Sequence, residues 1–187
     1  MINTQKNKAI FLYRDIVIDK KEKKYDFTSD NTMLLYGVSD AIKIFHKKGY
    51  MVYVVANEPE ASTAEGAKKI MDVYKKAESL IEKDGEYFDG FYYCPHTKED
   101  HCECMMPEPG LLIKAANENN LDLTISWIVG RTEEEMLTGM TAGTHRCIVQ
   151  RYDGLKNLAT WIQETYKDAS QTKMAEKYAK KLKKGAE

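Results

Sequence analysis

No stretch of this 187-residue chain approaches the roughly 20 consecutive apolar residues that cross a bilayer. A helical membrane span is therefore excluded from the reading of the sequence. An excess of charge of one sign is missing as well: 28 basic residues meet 29 acidic ones, for a formal net charge of -1. Such a balance gives no general pull toward nucleic acid or an anionic membrane. The opening "MINTQKNK" lacks the apolar stretch of a signal peptide, so the expected location is cytoplasmic, with reduced thiols. No internal repeat is visible. Hydrophobic residues make up 43% of the chain, enough to fill the core of one domain.

What is present is an alternation of short apolar runs and helical stripes. "AIFL" (9–12), "YMVYVVA" (50–56), "FDGFYYC" (88–94), "LTISWIVG" (123–130) and "HRCIVQ" (145–150) read as strands. Between them, 32–48 carries Leu34, Val38, Ala41, Ile42 and Phe45 at helical spacing, and Gly49 suits a C-cap. The stretch 61–83 places Ala67, Ile70, Met71, Tyr74, Ala77 and Ile81 on one stripe. Helices are also expected from "PEPGLLIKAANENN", "TEEEMLTGMTA" and "LKNLATWIQETY". The charged "KKEKKYDF" reads as a loop. Alternating strands and helices predict an α/β fold, a mainly parallel sheet flanked by helices. Residues 1–166 form the expected domain. Residues 167–187 differ in character: they are rich in lysine, and Met174, Tyr178 and Leu182 recur every four residues. They read as an extra C-terminal helix, either packed by a thin stripe or offered to a partner.

Residues 94–104, "CPHTKEDHCEC", hold three of the four cysteines. Cys94, His96, Cys102 and Cys104 supply three thiolates and an imidazole, the ligand set of a tetrahedral zinc. Four protein ligands leave no open position, so this zinc would be structural. It would staple a loop that has little apolar content of its own. His101 is a rival fourth ligand, awkwardly placed beside Cys102.

The order "AIFLYRD", "VYVVANE", "GFYYCPH…CEC", "MMPEPGLLIKAA" and "WIVGRTEEEMLTGMTAG" resembles the haloacid-dehalogenase (HAD) superfamily. Within it, residues 7–163 resemble the small cytosolic phosphatases that act on heptose bisphosphate and histidinol phosphate. The resemblance implies a Rossmann-like core and a magnesium-dependent phosphatase with four motifs at the strand ends. These supply an aspartate nucleophile with a second aspartate as acid and base, a Thr or Ser, a Lys, and Asp residues for Mg²⁺. Against that pattern Tyr13 stands in the nucleophile's place while Asp15 keeps the second aspartate. Ala56 replaces the hydroxyl residue, with Asn57 retained. Met105 and Met106 stand where the motif has Arg and Lys; Arg131 replaces the metal-binding Asp, and Glu135 falls near its second acidic position.

The implied mechanism needs a carboxylate nucleophile, a bound Mg²⁺ and a cation on the phosphoryl oxygens. A phenol with an ordinary pKa of about 10 is neutral near pH 7 and bulky. The Mg²⁺ site is therefore expected to be lost, and the chain to be a non-catalytic relative that binds a protein partner or a phosphorylated metabolite. The alternative is an active phosphomonoester hydrolase with an altered mechanism. Arg131 is expected to pair with Asp15, and with Glu135, as an internal substitute for Mg²⁺; otherwise it turns to solvent and the pocket closes around Tyr13. Arg14 and Arg131 could hold a phosphorylated ligand, although Arg14 equally reads as a surface side chain. The oligomeric state is left open.

Overall fold

The computed structural model describes residues 6–19, 29–149 and 154–165, with side chains as far as 160 in the last segment. In chain order the strands are β1 (Lys8–Tyr13), β2 (Ile18–Asp19), β3 (Met33–Leu34), β4 (Tyr50–Asn57), β5 (Gly90–Cys94), β6 (Trp127–Gly130) and β7 (His145–Ile148). The α-helices are α1 (Val38–Lys47), α2 (Ala64–Glu82), α3 (Gly110–Asn119), α4 (Glu133–Ala142) and α5 (Gly154–Thr165). Five strands form one parallel sheet in the order β5-β4-β1-β6-β7.

Side chains alternate across a strand, so β1 serves both faces. Ile10 and Leu12 pack beneath α1, α2 and α5; Ala9 and Phe11 face α3 and α4. All four are fully buried. This is why the strands read as continuous apolar runs and not as alternations.

Two boundaries and one helix stripe differ from the sequence reading. The helix expected over 32–48 begins only at Val38, because Met33 and Leu34 pair antiparallel with Asp19 and Ile18. Gly37 (φ 80°) then turns the chain into α1. In α2 the buried stripe runs through Val73; Met71 is exposed. Leu123–Ile125 is a 3-10 turn started by the Asp122 side chain, which accepts from the Thr124 N–H at 2.9 Å, so β6 opens at Trp127. The segments 20–28 and 167–187, read as a loop and a terminal helix, lie outside the described residues.

β1 lies between β4 and β6, and the chain crosses over it in opposite directions. In such sheets the crevice beyond the carboxyl ends of the strands is where ligands bind. Tyr13, Asn57, Cys94 and Gly130 stand at those ends. Among the described residues, no helix is long and apolar enough to cross a membrane.

Candidate functional site

Tyr13 closes β1, and a single 3-10 turn, Arg14–Ile16, follows it. The turn throws Asp15 to the rim and Arg14 inward. Arg14 is only 7% exposed, and its Nη1 lies 2.6 Å from both carboxylate oxygens of Glu58. Its Nη2 and Nε reach Asp15 Oδ1 at 2.9 and 3.0 Å. Glu58, just beyond the end of β4, is 1% exposed and also accepts the Tyr74 hydroxyl of α2 at 2.7 Å. Burial opposes the charge on Arg14, but Glu58 and Asp15 hold the guanidinium protonated.

Two expectations are corrected here. Arg14 is not a surface residue. Asp15 takes its guanidinium from Arg14 and not from Arg131, whose side chain is exposed and makes no ion pair among the described residues. The reason lies in the local backbone. Arg14 leaves a tight turn at the sheet centre, whereas Arg131 precedes α4 and only its backbone N–H points inward, donating to Glu135 Oε2 at 2.6 Å.

Glu135 is therefore held by backbone and not by the Arg131 guanidinium. Its carboxylate also accepts from the Thr132 N–H at 3.3 Å, and Thr132 Oγ1 accepts from the Glu135 N–H at 3.3 Å. That reciprocal capping box starts α4. Gly130 makes room for it: a Cβ there would meet Glu135 Oε2 at 2.0 Å. The carboxylate faces Tyr13. Burial first, then Glu135 and Asp15, push the Tyr13 phenol up to about 12, so it is neutral at any physiological pH.

Asn57 ties the end of β4 to the next loop. Its Oδ1 accepts the Met106 N–H and its Nδ2 donates to the Met106 carbonyl, both at 3.0 Å. The Met106 side chain is buried among Phe11, Val55, Leu111 and Met136, and Ala56 is fully buried in the sheet. Neither offers a polar atom to the crevice. Asp15, Arg14, Glu58, Glu135 and Tyr13 are thus the polar groups gathered there. Glu58 and Tyr74 escaped the sequence reading: "NEPE" passed as a polar turn and Tyr74 as one member of a helical stripe.

The cysteine–histidine loop begins at the end of β5. Cys94 Sγ lies 3.5 Å from Cys102 Sγ and 3.2 Å from Cys104 Sγ; Cys102 and Cys104 are 3.5 Å apart. His96 Nδ1 is 3.4 Å from Cys94 and 3.2 Å from Cys104. The four ligand atoms lie within 4.8 Å of one another. The sulfurs stand far beyond the ~2.05 Å of a disulfide. They are close to the ~3.8 Å edge of a tetrahedron with ~2.3 Å metal–sulfur bonds. A Thr97–Asp100 capping box and the left-handed His101 (φ 46°) fold the loop back, and His101 itself stays outside the cluster. This group could hold a metal ion. Burial, with hydrogen bonding to Cys104, pushes the Cys94 thiol up to about 12, while hydrogen bonds within the loop outweigh desolvation at Cys102 and bring it down to about 7.

No family model matches the chain. It is 30% identical, over 165 residues, to the D-glycero-beta-D-manno-heptose-1,7-bisphosphate 7-phosphatase of Helicobacter pylori (strain J99), covering 87% of this chain and 93% of that protein. To the Haemophilus influenzae enzyme of the same name it is 35% identical over 146 residues, 73% and 77% of the two chains. The chain belongs to the heptose-bisphosphate phosphatase family of HAD-like proteins. Among solved structures, the D,D-heptose 1,7-bisphosphate phosphatase from B. bronchiseptica, complexed with magnesium and phosphate, superposes with a TM-score of 0.68 at 26% identity, over 82% of this chain and 86% of that one. A HAD-like phosphatase from Mesorhizobium loti shares the fold at 22% identity (TM-score 0.74), over 88% and 90% of the chains. The family's sheet is thus conserved here, while the residues at its strand ends have the arrangement described above.

Proposed function

We propose that this chain is a non-catalytic member of its family, whose ancestral phosphatase site is closed by its own side chains and which acts by binding a partner protein. One observation carries this reading. A neutral tyrosine occupies the end of β1, and beside it the buried Arg14 is already committed to Asp15 and Glu58. A phosphoryl group entering there would meet Asp15, Glu58 and Glu135 with, among the described residues, no uncommitted buried cation to receive it. That disfavours the phosphorylated-metabolite reading relative to a protein partner. The resemblance supplies the other supports: Met106 in place of the motif Lys, Ala56 in place of the hydroxyl, and Arg131 in place of a metal-binding Asp. Losing one such electrostatic group commonly lowers a rate by about 10²- to 10³-fold. The Mg²⁺ site is lost in this reading, because hard cations require the oxygen ligands that Tyr13 and Arg131 no longer provide.

The metal of the cysteine–histidine loop is zinc in this reading, bound by Cys94, His96, Cys102 and Cys104 and purely structural. Reduced thiols and a cytoplasmic location belong to the same reading. Purified protein with Mg²⁺ and a panel of phosphomonoesters, heptose 1,7-bisphosphate and histidinol phosphate included, should show no turnover above background. Clear turnover that Asp15→Asn abolishes rejects the proposal in favour of an altered hydrolytic mechanism.

A further inference from the structure

The amino ends of the strands, opposite the crevice, gather lysines. α1 ends at Lys47 just before β4 opens at Tyr50, and Tyr50 pairs in register with Lys8 at the start of β1. The Lys8 Nζ lies 4.1 Å from the centre of the Tyr50 ring. Its stem passes Gly49, where a Cβ would meet Lys8 Cε at 3.9 Å. Lys48 adjoins that glycine. Burial first, then the charge of Lys48, pulls the Lys8 ammonium below the ordinary lysine range. Lys6 precedes Lys8 by two residues, the spacing that returns a strand to one side. Lys6, Lys47 and Lys48 make no ion pair among the described residues.

Carboxylates on adjoining elements are committed elsewhere. Glu86 and Asp89 face His46 at 3.0 and 3.3 Å. Asp89 also accepts the Val52 N–H at 2.6 Å, and Asp122 accepts the Thr124 hydroxyl at 2.6 Å. Cations suit the carbonyl end of a helix, which accounts for Lys47 and Lys48. It does not account for Lys6 and Lys8, which arrive from β1. Like charges held together are unfavourable until an anion joins them.

We propose that this patch of Lys6, Lys8, Lys47 and Lys48 is a docking surface for an acidic segment of a partner protein. It names the surface behind the partner-binding reading, on which it rests. Two features favour that occupant over a nucleic acid. The patch is built of lysines and lacks arginine, whose planar fork matches phosphate. The whole chain has a net charge of -1, so a long polyanion gains nothing beyond the patch, whereas a short run of carboxylates covers the patch alone.

An NMR titration of the full, isotope-labelled chain with a hexaglutamate peptide at low salt tests it. The expected result is a set of saturable shifts at the Lys8, Lys48, Gly49 and Tyr50 amides, reversed by added salt. Lys48→Gln should raise the dissociation constant about three-fold, and Lys48→Arg should not. No saturable shift at those amides, shifts confined to residues 13–15 or 167–187, or binding that Lys48→Gln leaves unchanged would each overturn the proposal. So would a DNA hexamer that shifts the same amides at lower concentration than the peptide. Phosphatase turnover would instead reject the non-catalytic reading, so the two failures are read in separate assays.

Discussion

At the scale of single residues, Arg14 organises the strand ends. A buried ion pair adds little net stability when intact, but removing one partner strands the other charge, typically at about 3–5 kcal/mol. Arg14→Ala should therefore lower the unfolding free energy by about that amount, because it leaves Glu58 buried and unneutralised. Glu58→Gln keeps the hydrogen-bonding shape and should cost less; chemical denaturation of the two variants measures the order. Tyr13 makes a separate prediction. Its phenol rises from 10.0 unfolded to about 12 folded. The stability this contributes is fully present below pH 10 and is lost as pH climbs toward about 12. Tyr13→Phe should flatten that part of the stability–pH curve, and thermal unfolding across the alkaline range shows whether it does.

At the scale of elements, the two loops flanking the site are held by different forces. The start of α4 is fixed by the reciprocal hydrogen bonds of Thr132 and Glu135, beside the buried Met136. Thr132→Ala removes the side-chain half of the box and should destabilise by about 1 kcal/mol in denaturant titration. The cysteine–histidine loop packs inward through Met105, Met106 and its cysteines, and in the proposed reading a metal ion fastens it. Elemental analysis should find about one zinc per chain, and Cys102→Ser should lose it. His101→Ala should keep it, since His101 lies outside the cluster.

At the scale of the whole molecule, the sheet order β5-β4-β1-β6-β7 brings residues from four separate regions of the chain to one crevice. In the proposed reading, the ancestral chemistry needed groups at all of these strand ends at once. Effects of groups that act together are far from additive. Under the proposed reading, Tyr13→Asp alone should stay inactive in a phosphatase assay with Mg²⁺, since Met106 and Arg131 remain. Turnover by that single variant would show that the crevice kept more of its ancestral machinery than the substitutions imply.

The elements of this fold were legible in the sequence because periodicity and capping act within a few residues. The strand cores, the helix stripes and the Cys94–His96–Cys102–Cys104 set are all of this local kind. The exceptions were short-range competitions: Met33–Leu34 left the helix pattern once Ile18–Asp19 offered a strand partner. The partner of Asp15 was not legible. Arg14 and Glu58 are 44 residues apart, and they meet because β1 and β4 pair in parallel and end at the same level. By itself, then, the sequence determined the layered α/β fold and the four side chains that could hold a metal. Only the tertiary structure decided which arginine fills the crevice, because strand register and the direction of a tight turn set which side chain points inward.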